Sequence, residues 1–391
     1  MKIYAFDLED EFYKPENALK WLNIPYTTIT DMDNIPTCPD DIIIASPKQF
    51  TKDPFNDEHI QVVEKLSPKF KKVIMFNDDY TGHSKYGESF PYKFNNVYML
   101  GLEKKMNWDI TSKHYRKVQK TNWSFNYVHC RTYYDYRYTK DYPSRIKSKE
   151  NQRRSKAFIN LNKYPKAHRI RLMIRLMENN LIDTGHNSFI NYPLGTKEIN
   201  EILNNDRKEQ SSGNEDKFKF PKENQESIKK FNNLLPMTLD FTKPGGSGFE
   251  FGTLLSGPSS FVDNSYFNIV TESHYREWGN FLSSEKIIKP LISMQPFFVL
   301  GQPYTLKYLQ DCGFKTFGDI IDESYDNEVD DVKRFNMVTN EIIKLFTENT
   351  LDEIHDIYYS VFDKLEHNFN HTEKHCKNEL QIIQDIIDDK L

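Results

Sequence analysis

The chain has 391 residues and a formal net charge of -5 at pH 7, and its length predicts two domains rather than a single core. Hydrophobic residues amount to 38%, and 28 Phe with 23 Tyr supply the bulk for packed interiors, which excludes a wholly disordered chain. The four cysteines lie far apart, which argues against a disulfide scaffold, and no apolar run reaches the roughly 18–20 residues of a membrane span.

The first part of the chain alternates between short apolar runs and helix-like stretches. Its start is acidic where a signal peptide would be apolar, which predicts a cytoplasmic protein. Strands are predicted at residues 3–6, 41–45 and 73–76, with helices at residues 18–22 and 59–66. This alternation predicts a parallel sheet wrapped by helices as an N-terminal domain over residues 1–145.

The segment from residue 102 to residue 172 is strongly basic. It holds 19 Lys or Arg against five acids, a local charge of +14 that leaves -19 for the rest of the chain. Aromatic residues interleave with these cations, and this combination predicts ligands that carry phosphate. The alternative is a basic linker that forms a solvated face at a domain boundary.

The alternation of strands and helices restarts after the basic segment. Residues 157–161 and 188–191 are predicted strands, on either side of an amphipathic helix at residues 167–179. Residues 204–227 are almost wholly polar, which predicts a mobile surface insertion. The glycine cluster at residues 243–252 matches neither a phosphate-binding P-loop nor a dinucleotide fingerprint.

A further run of strands and helices predicts a C-terminal domain over residues 146–345. Its strands are predicted at residues 266–271, 297–300 and 314–317, and its helices at residues 285–294 and 303–312. Units of this kind form parallel crossovers. The acidic remainder, residues 346–391, predicts C-terminal helices, and the amphipathic stretches near this end of the chain are residues 332–347, 351–365 and 373–391.

Polar residues around the helix predicted at residues 285–294 form a candidate anion site. Glu272 ends the preceding strand, and Ser283 or Ser284 would cap the helix. Free N–H groups at the start of the helix, together with Lys286, suit a diphosphate, and Glu285 has the reach to accept ribose hydroxyl hydrogens. The alternative is an ordinary helix cap with an acid in its first turn.

The order Glu272-Ser273, a short loop, Ser284-Glu285-Lys286 and a helix leading to residues 296–301 resembles the donor-binding segment of GT-B glycosyltransferases, closest to the fucosyltransferase-like group. Residues 158–163 and His168-Arg169 are similar to the opening strand and helix of the C-terminal domain in those enzymes. Residues 306–326 are similar to glycosyltransferase-like proteins of phages and other viruses. Ser284 stands where the family has Thr, and no Asn separates Glu272 from Ser273, so the base of the donor stays open.

The resemblance implies two Rossmann-like α/β domains of GT-B type that face a cleft. It implies transfer of a sugar from a GDP- or UDP-sugar to an acceptor hydroxyl, without a metal or other cofactor. The donor-binding residues would be Lys163, Arg169 and Lys286 at the diphosphate, Glu272 and Glu285 at ribose or sugar hydroxyls, Ser284 at the helix start, and Glu250 close to the donor. The acceptor would be a glycan, a protein or modified DNA, and both inversion and retention stay open.

An inverting transfer needs a group that takes the proton of the acceptor hydroxyl. The candidates are the acids that follow predicted strands of the N-terminal domain: Asp7, Asp10, Glu11, Asp78 and Asp79. Each of them is better explained as a strand-end or capping acid, and none is singled out.

Two patterns suggest metal sites instead. Asp31 and Asp33 form an Asp-x-Asp pair that suits a hard cation. His367, His371 and His375 recur every four residues next to Cys376, which is a spacing that zinc or nickel accepts. We predict a solvated histidine face and no metal site.

Two other classes of function compete with glycosyl transfer. A nucleic-acid-binding protein would use residues 102–172 to bind phosphates, with an affinity that falls steeply as salt rises. A catalytically inactive GT-B-like protein would use the same fold for binding alone.

Overall fold

The structure is a computed structural model, and it describes residues 1–6, 16–31, 34–45, 65–77, 96–101, 122–124, 130, 133, 140–162, 164–189, 195–211, 220–237, 239, 261–276 and 284–390. The chain divides into two compact units. Unit 1 comprises Met1–Asp135, Gly279–Ser283 and Lys374–Leu391, and unit 2 comprises Tyr136–Trp278 and Ser284–Glu373. Among the described residues, no helix is long and apolar enough to cross a membrane.

Unit 1 contains a six-stranded parallel sheet. Its strands are β1 (Ile3–Phe6), β2 (Thr27–Ile29), β3 (Cys38–Ala45), β4 (Phe70–Asn77), β5 (Val97–Gly101) and β6 (Asn122–Ser124), and helix α1 (Glu16–Trp21) follows β1. The strand order is β2-β1-β3-β4-β5-β6, with every pair parallel. The order therefore reverses next to β1, as in doubly wound α/β sheets.

Apolar side chains cover both faces of this sheet. Ile43 and Ala45 of β3 pack with Val73 and Met75 of β4 in one hydrophobic cluster. Their neighbours Ile42, Ile44 and Ile74 point to the opposite face of the pleat and are also fully buried. A parallel sheet has helices or loops on both faces, which is why its central strands are continuously apolar.

The end of the chain is fixed to β4 within unit 1. Asp389 forms ion pairs with Lys71 at 3.0 Å and with Lys72 at 2.6 Å. The buried ammonium of Lys72 also donates to the carbonyl oxygen of Ile386. A cation next to carbonyl groups at a helix C-terminus interacts favourably with the helix dipole, so that these contacts hold the last helical turn on the strand.

Unit 2 contains a four-stranded parallel sheet with helices around it. The strands are β7 (Lys156–Asn162), β8 (Gly185–Phe189), β9 (Ser265–Thr271) and β10 (Phe297–Leu300), in the order β10-β9-β7-β8. The helices are α2 (Tyr142–Lys147), α3 (Ala167–Glu178), α4 (Thr196–Ser211), α5 (Gln225–Asn233), α6 (Glu285–Ile292), α7 (Thr305–Asp311), α8 (Asp331–Glu348), α9 (Leu351–Ser360) and α10 (Phe362–Ile387), the last of which contributes residues to both units.

Aromatic packing joins this sheet to α8. The ring centroid of Phe346 lies 4.8 Å from that of Phe158 on β7, 5.7 Å from Phe267 on β9 and 6.1 Å from Phe298 on β10. One helical side chain thus contacts three adjacent strands. The α/β architecture with two parallel-sheet units that the sequence predicted is confirmed.

The elements predicted at residues 314–317 and 351–365 differ from the structure. Residues 314–317 form no strand, because the backbone N–H and C=O of Lys315 both bond to the side chain of Asn368 at 2.8 Å. The helix predicted at residues 351–365 ends at Ser360, and a separate helix begins at Phe362 and continues to Ile387. The prediction at residues 373–391 therefore falls within that longer helix.

The prediction of a mobile insertion at residues 204–227 was wrong for the described part of that segment. Helix α4 continues to Ser211, α5 begins at Gln225, and Phe220 is buried. The polar side chains serve an ion-pair network: Asp206 and Glu223 both bind Arg171, each at 2.5 Å. Polar composition alone predicted solvation, whereas charge pairing in unit 2 orders these residues.

Candidate functional site

The strand order of unit 2 creates a crevice at the carboxyl ends of β7 and β9. These two strands are neighbours, but β7 leads through α3 to β8 on one side, and β9 leads through α6 to β10 on the other. Helices that start from neighbouring strands and diverge leave a crevice between them, and ligands of open α/β sheets bind at such a switch point.

A chain of buried polar side chains links the two strands at this edge. The hydroxyl of Thr271 donates to Asn162 Oδ1 at 2.6 Å, and Asn162 Nδ2 donates to Asn160 Oδ1 at 3.0 Å. All three residues are at most 2% exposed. Buried polar groups are costly unless they are bonded, so this chain fixes the ends of β7 and β9 relative to each other. The Asn-x-Asn spacing, which places both amides on one face of a strand, is a sequence signal from which this chain of side chains could have been found.

Glu272 lies directly after β9 and its carboxylate holds the start of α6. The Ser284 hydroxyl donates to Glu272 Oε2 at 2.5 Å, and the backbone N–H groups of Ser273 and Ser284 donate to the carboxylate, both at 3.3 Å. Ser284 is the N-cap of α6, and its hydroxyl oxygen accepts from the N–H of Lys286 at 3.2 Å. A carboxylate at this position is stabilised by the N-terminal end of the helix dipole.

Three cationic side chains lie beside the end of β9 and the start of α6. The ammonium of Lys286 donates to the hydroxyls of Ser273 and Ser284 at 3.1 and 3.3 Å. The guanidinium of Arg169 donates to the carbonyl oxygens of Thr271 and Glu272 at 3.0 and 3.3 Å, and to that of Tyr164 at 3.1 Å. Lys166 donates to the carbonyl oxygen of Ser273 at 2.6 Å. We call Lys166, Arg169 and Lys286 the cation cluster.

The members of the cation cluster repel one another. Burial, followed by the nearby charges of Arg169 and Lys286, lowers the pKa of Lys166 to about 8, although Glu272 acts in the opposite direction. The two neighbouring cations thus disfavour the protonated form of Lys166. An anion that enters the crevice would relieve this repulsion, because it would stabilise all three cations at once.

Two histidines beside the cluster are neutral at pH 7. Burial and the charge of Arg169 hold the pKa of His168 well below its usual range. Its Nε2 lies 3.0 Å from the carbonyl oxygen of Glu272, and because a carbonyl only accepts, Nε2 carries the proton. The pKa of His274 is lowered to about 4 by burial and by Lys166 and Lys286. The histidines therefore add no charge to the site.

The structure brings together four of the residues that the sequence analysis selected: Arg169, Glu272, Ser284 and Lys286. Glu285 begins α6, but its side chain is not among those described. The remaining candidates lie outside the described residues: Asp7, Asp10, Glu11, Asp78, Asp79, Lys163 and Glu250. Lys166 was missed and Ser273 was given no role, although both lie within three residues of a selected position, in loops that follow parallel strands.

The prediction of a solvated histidine face on α10 was wrong, because these histidines pack against the rest of the protein. His371 Nε2 lies 2.7 Å from the carbonyl oxygen of Cys312, and His367 Nε2 lies 3.0 Å from that of Gly313, just beyond the end of α7. His375 is buried. Within the described ranges, no group of three or more His, Cys, Asp or Glu could hold a metal ion. Asp33 of the Asp-x-Asp pair lies outside those ranges.

No protein-family model matches the sequence, and no curated protein matches it. Among solved structures, the chain is similar to a glycosyltransferase from Rickettsia africae ESF-5, with a TM-score of 0.46 and 9% identity over 99% of this chain and 98% of that one. It is also similar to the N-terminal domain of Candida albicans trehalose-6-phosphate phosphatase, with a TM-score of 0.39 and 10% identity over 90% of this chain and 71% of that one. A third similar structure is an alpha,alpha-trehalose 6-phosphate synthase from Burkholderia multivorans, with a TM-score of 0.37 and 11% identity over 90% of this chain and 72% of that one. Similarity of this degree assigns neither a family nor an activity to the chain.

Proposed function

We propose that this protein is a glycosyltransferase that moves a sugar from a nucleoside diphosphate sugar, with GDP or UDP as the nucleotide, to an acceptor hydroxyl. The observation that carries the proposal is the cation cluster at the start of α6, in the switch-point crevice of unit 2. A diphosphate is the ligand that matches several cations next to a helix N-terminus. The sequence resemblance to GT-B enzymes at the same residues supports it.

The proposed chemistry uses charge that develops on the leaving group. When the bond between the sugar and the diphosphate breaks, negative charge builds on the departing phosphate oxygen. Lys286, Arg169 and Lys166 would stabilise that charge more strongly than they stabilise the bound donor, which is the condition for lowering the barrier. In this proposal the three side chains supply the positive charge, and the transfer proceeds without a metal.

Glu272 would combine a positioning role with one contact to the donor. A carboxylate has about four acceptor positions, and three of them are used by the Ser284 hydroxyl and the two backbone N–H groups. The fourth would accept from a ribose or sugar hydroxyl. Lys163, Glu250 and Glu285 complete the proposed donor site. The proton of the acceptor, a hydroxyl on a glycan, a protein or modified DNA, would go to an acid of the set Asp7, Asp10, Glu11, Asp78 and Asp79.

A panel of GDP-, UDP-, ADP- and CMP-sugars, tested by thermal shift on the full chain, measures donor binding directly. We expect one nucleotide class to raise the melting temperature saturably, and the Lys286→Gln variant to lose most of that shift while its own unfolding stays close to wild type. Lys307→Gln is the matched control, because Lys307 is an exposed lysine near the start of another helix of unit 2 and its side chain pairs with the exposed Asp311.

Activity is measured as the release of free nucleotide, which accompanies both hydrolysis of the donor and transfer of its sugar. If the donor binds but no nucleotide is released with any acceptor tested, the result would favour the alternative of a catalytically inactive GT-B-like binding protein. Full binding and turnover by both Lys286→Gln and Lys166→Gln would reject the proposed site.

The described part of the basic segment, residues 102–172, supports nucleic-acid binding less well than the cation cluster supports glycosyl transfer. Arg145 and Lys149 lie 4.0 and 3.7 Å from the buried carboxylate of Asp263, and Arg153 pairs with Asp352 at 2.7 Å. Acids of unit 2 thus already neutralise part of this charge. A DNA or RNA affinity that falls steeply between low and physiological salt, with no response to sugar nucleotides, would reverse this preference.

A further inference from the structure

Unit 2 contains a second cavity, on another side of α3 from the cation cluster. It has a volume of about 320 Å³ and lies between α3, the segment that precedes α5, and α8. Arg171 lines it, whereas Arg169 belongs to the cation cluster. Arg169 and Arg171 are two positions apart, and residues at that spacing on a helix are separated by about 200° around its axis. The two side chains therefore leave α3 in nearly opposite directions. The cavity and the cation cluster share no lining residue.

The floor of this cavity is apolar and partly aromatic. Ile174, Phe220 and Phe335 line it, each at most 6% exposed, and the two phenylalanine rings meet edge to face with centroids 5.4 Å apart. The guanidinium of Arg171 lies 3.8 Å from the Phe220 ring centroid and holds that ring in place. A floor of this kind accepts a flat ring or a branched aliphatic group. The volume is at the low end of small-molecule pockets, which favours a single ring over a polymer.

The charges at the edge of the cavity are of both signs, and two of them form no ion pair within the described part of the chain. Arg171 and Glu223 bind one another and further partners, so their charges are compensated. Arg175 and Glu178 also line the cavity, and neither forms an ion pair with any residue that the structure describes. The Glu178 carboxylate accepts one hydrogen bond, from the Ser227 hydroxyl at 2.6 Å. One cation and one carboxylate, three residues apart on α3, thus face the same cavity.

We propose that this cavity binds a small zwitterion of the aromatic amino-acid type. Its carboxylate would pair with Arg175, its ammonium with Glu178, and its ring would lie on Ile174, Phe220 and Phe335. Asn224 and Asn336, which also line the cavity, would offer amide groups to the ligand backbone. The proposal does not depend on glycosyl transfer, because none of these residues belongs to the cation cluster.

Isothermal titration of the full chain tests the proposal with L-phenylalanine, benzoate and phenethylamine as probes. We expect L-phenylalanine to bind saturably, with a Kd below about 1 mM, and the two single-charge probes to bind at least about tenfold more weakly. Arg175→Gln and Glu178→Gln should each reduce the L-phenylalanine affinity by a similar factor. Both residues lie at the edge of the cavity rather than in the core, so we expect the variants to fold.

Further variants test whether the ligand occupies this cavity. Asn336→Trp places a large ring at an exposed position on the cavity wall and should block binding. Lys197→Gln, on an exposed part of α4, should leave it unchanged. Lys286→Gln should also leave it unchanged, so that a failure of the donor site would not be mistaken for a failure here. No saturable binding of L-phenylalanine, or equal binding of all three probes, would overturn the proposal.

Discussion

Removing the charge of Lys166 should change stability and anion binding in opposite directions. We consider Lys166→Met, which keeps much of the length of the side chain and removes its charge. The pKa of Lys166 falls from 10.5 to about 8 because of burial and the charges of Arg169 and Lys286. Each pKa unit equals about 1.4 kcal/mol, so the charged form is disfavoured by roughly 3 kcal/mol before solvent screening. Lys166 is partly exposed, and screening reduces this penalty to on the order of 1 kcal/mol.

The sign of the pH dependence follows from the two pKa values. Below pH 8 Lys166 is protonated in both the folded and the unfolded chain, and the whole penalty destabilises the fold. Between pH 8 and 10.5 the unfolded chain binds the additional proton, so the wild type gains stability as the pH rises. Above 10.5 the penalty is absent. Lys166→Met has no such group and should not show this gain.

Urea unfolding at pH 7, 8.5 and 10 measures the difference between the two proteins. We expect the stability of Lys166→Met relative to wild type to fall by on the order of 1 kcal/mol from pH 7 to pH 10. Titration with GDP or UDP should show weaker binding to the variant at pH 7, and a wild-type affinity that declines above pH 8 while that of the variant stays level. A stability difference that is independent of pH, together with unchanged nucleotide affinity, would refute the reasoning.

Two other substitutions test the parts of unit 2 that position the site. Thr271→Val removes the hydroxyl that donates to Asn162 Oδ1 and should cost about 1–3 kcal/mol in chemical denaturation, because it leaves a buried acceptor without its donor. Thr271→Ser keeps the hydroxyl and should recover most of that loss; equal losses in both variants would assign the effect to packing alone. Phe346→Ala removes the ring that contacts three strands and should cost about 3–5 kcal/mol. The exposed neighbour Thr347→Ala should stay within about 0.5 kcal/mol of wild type, and a similar loss there would point to the helix rather than the ring.

Local sequence pattern was sufficient for most strands and helices of the described residues. Short, mostly apolar runs predicted β1, β3, β4, β7, β9 and β10, because strands buried on both faces of a parallel sheet require such runs. The same pattern failed at residues 314–317, where the apolar run is real but Asn368, 53 residues away, satisfies the backbone of Lys315. Polar composition also misled in the described parts of residues 204–227, where Asp206 and Glu223 form ion pairs with Arg171.

The sequence by itself determined which residues of the candidate site carry charge and which helix starts beside them. Glu272, Ser284 and Lys286 are close in the chain, and helix capping is a local property that short spacing reveals. Only the tertiary structure decided that β7 lies next to β9, and therefore that Lys166 and Arg169 meet residues more than 100 positions away. Strand order depends on the packing of the whole sheet, which no local periodicity encodes, and the concentration of positive charge in the crevice arises from that order.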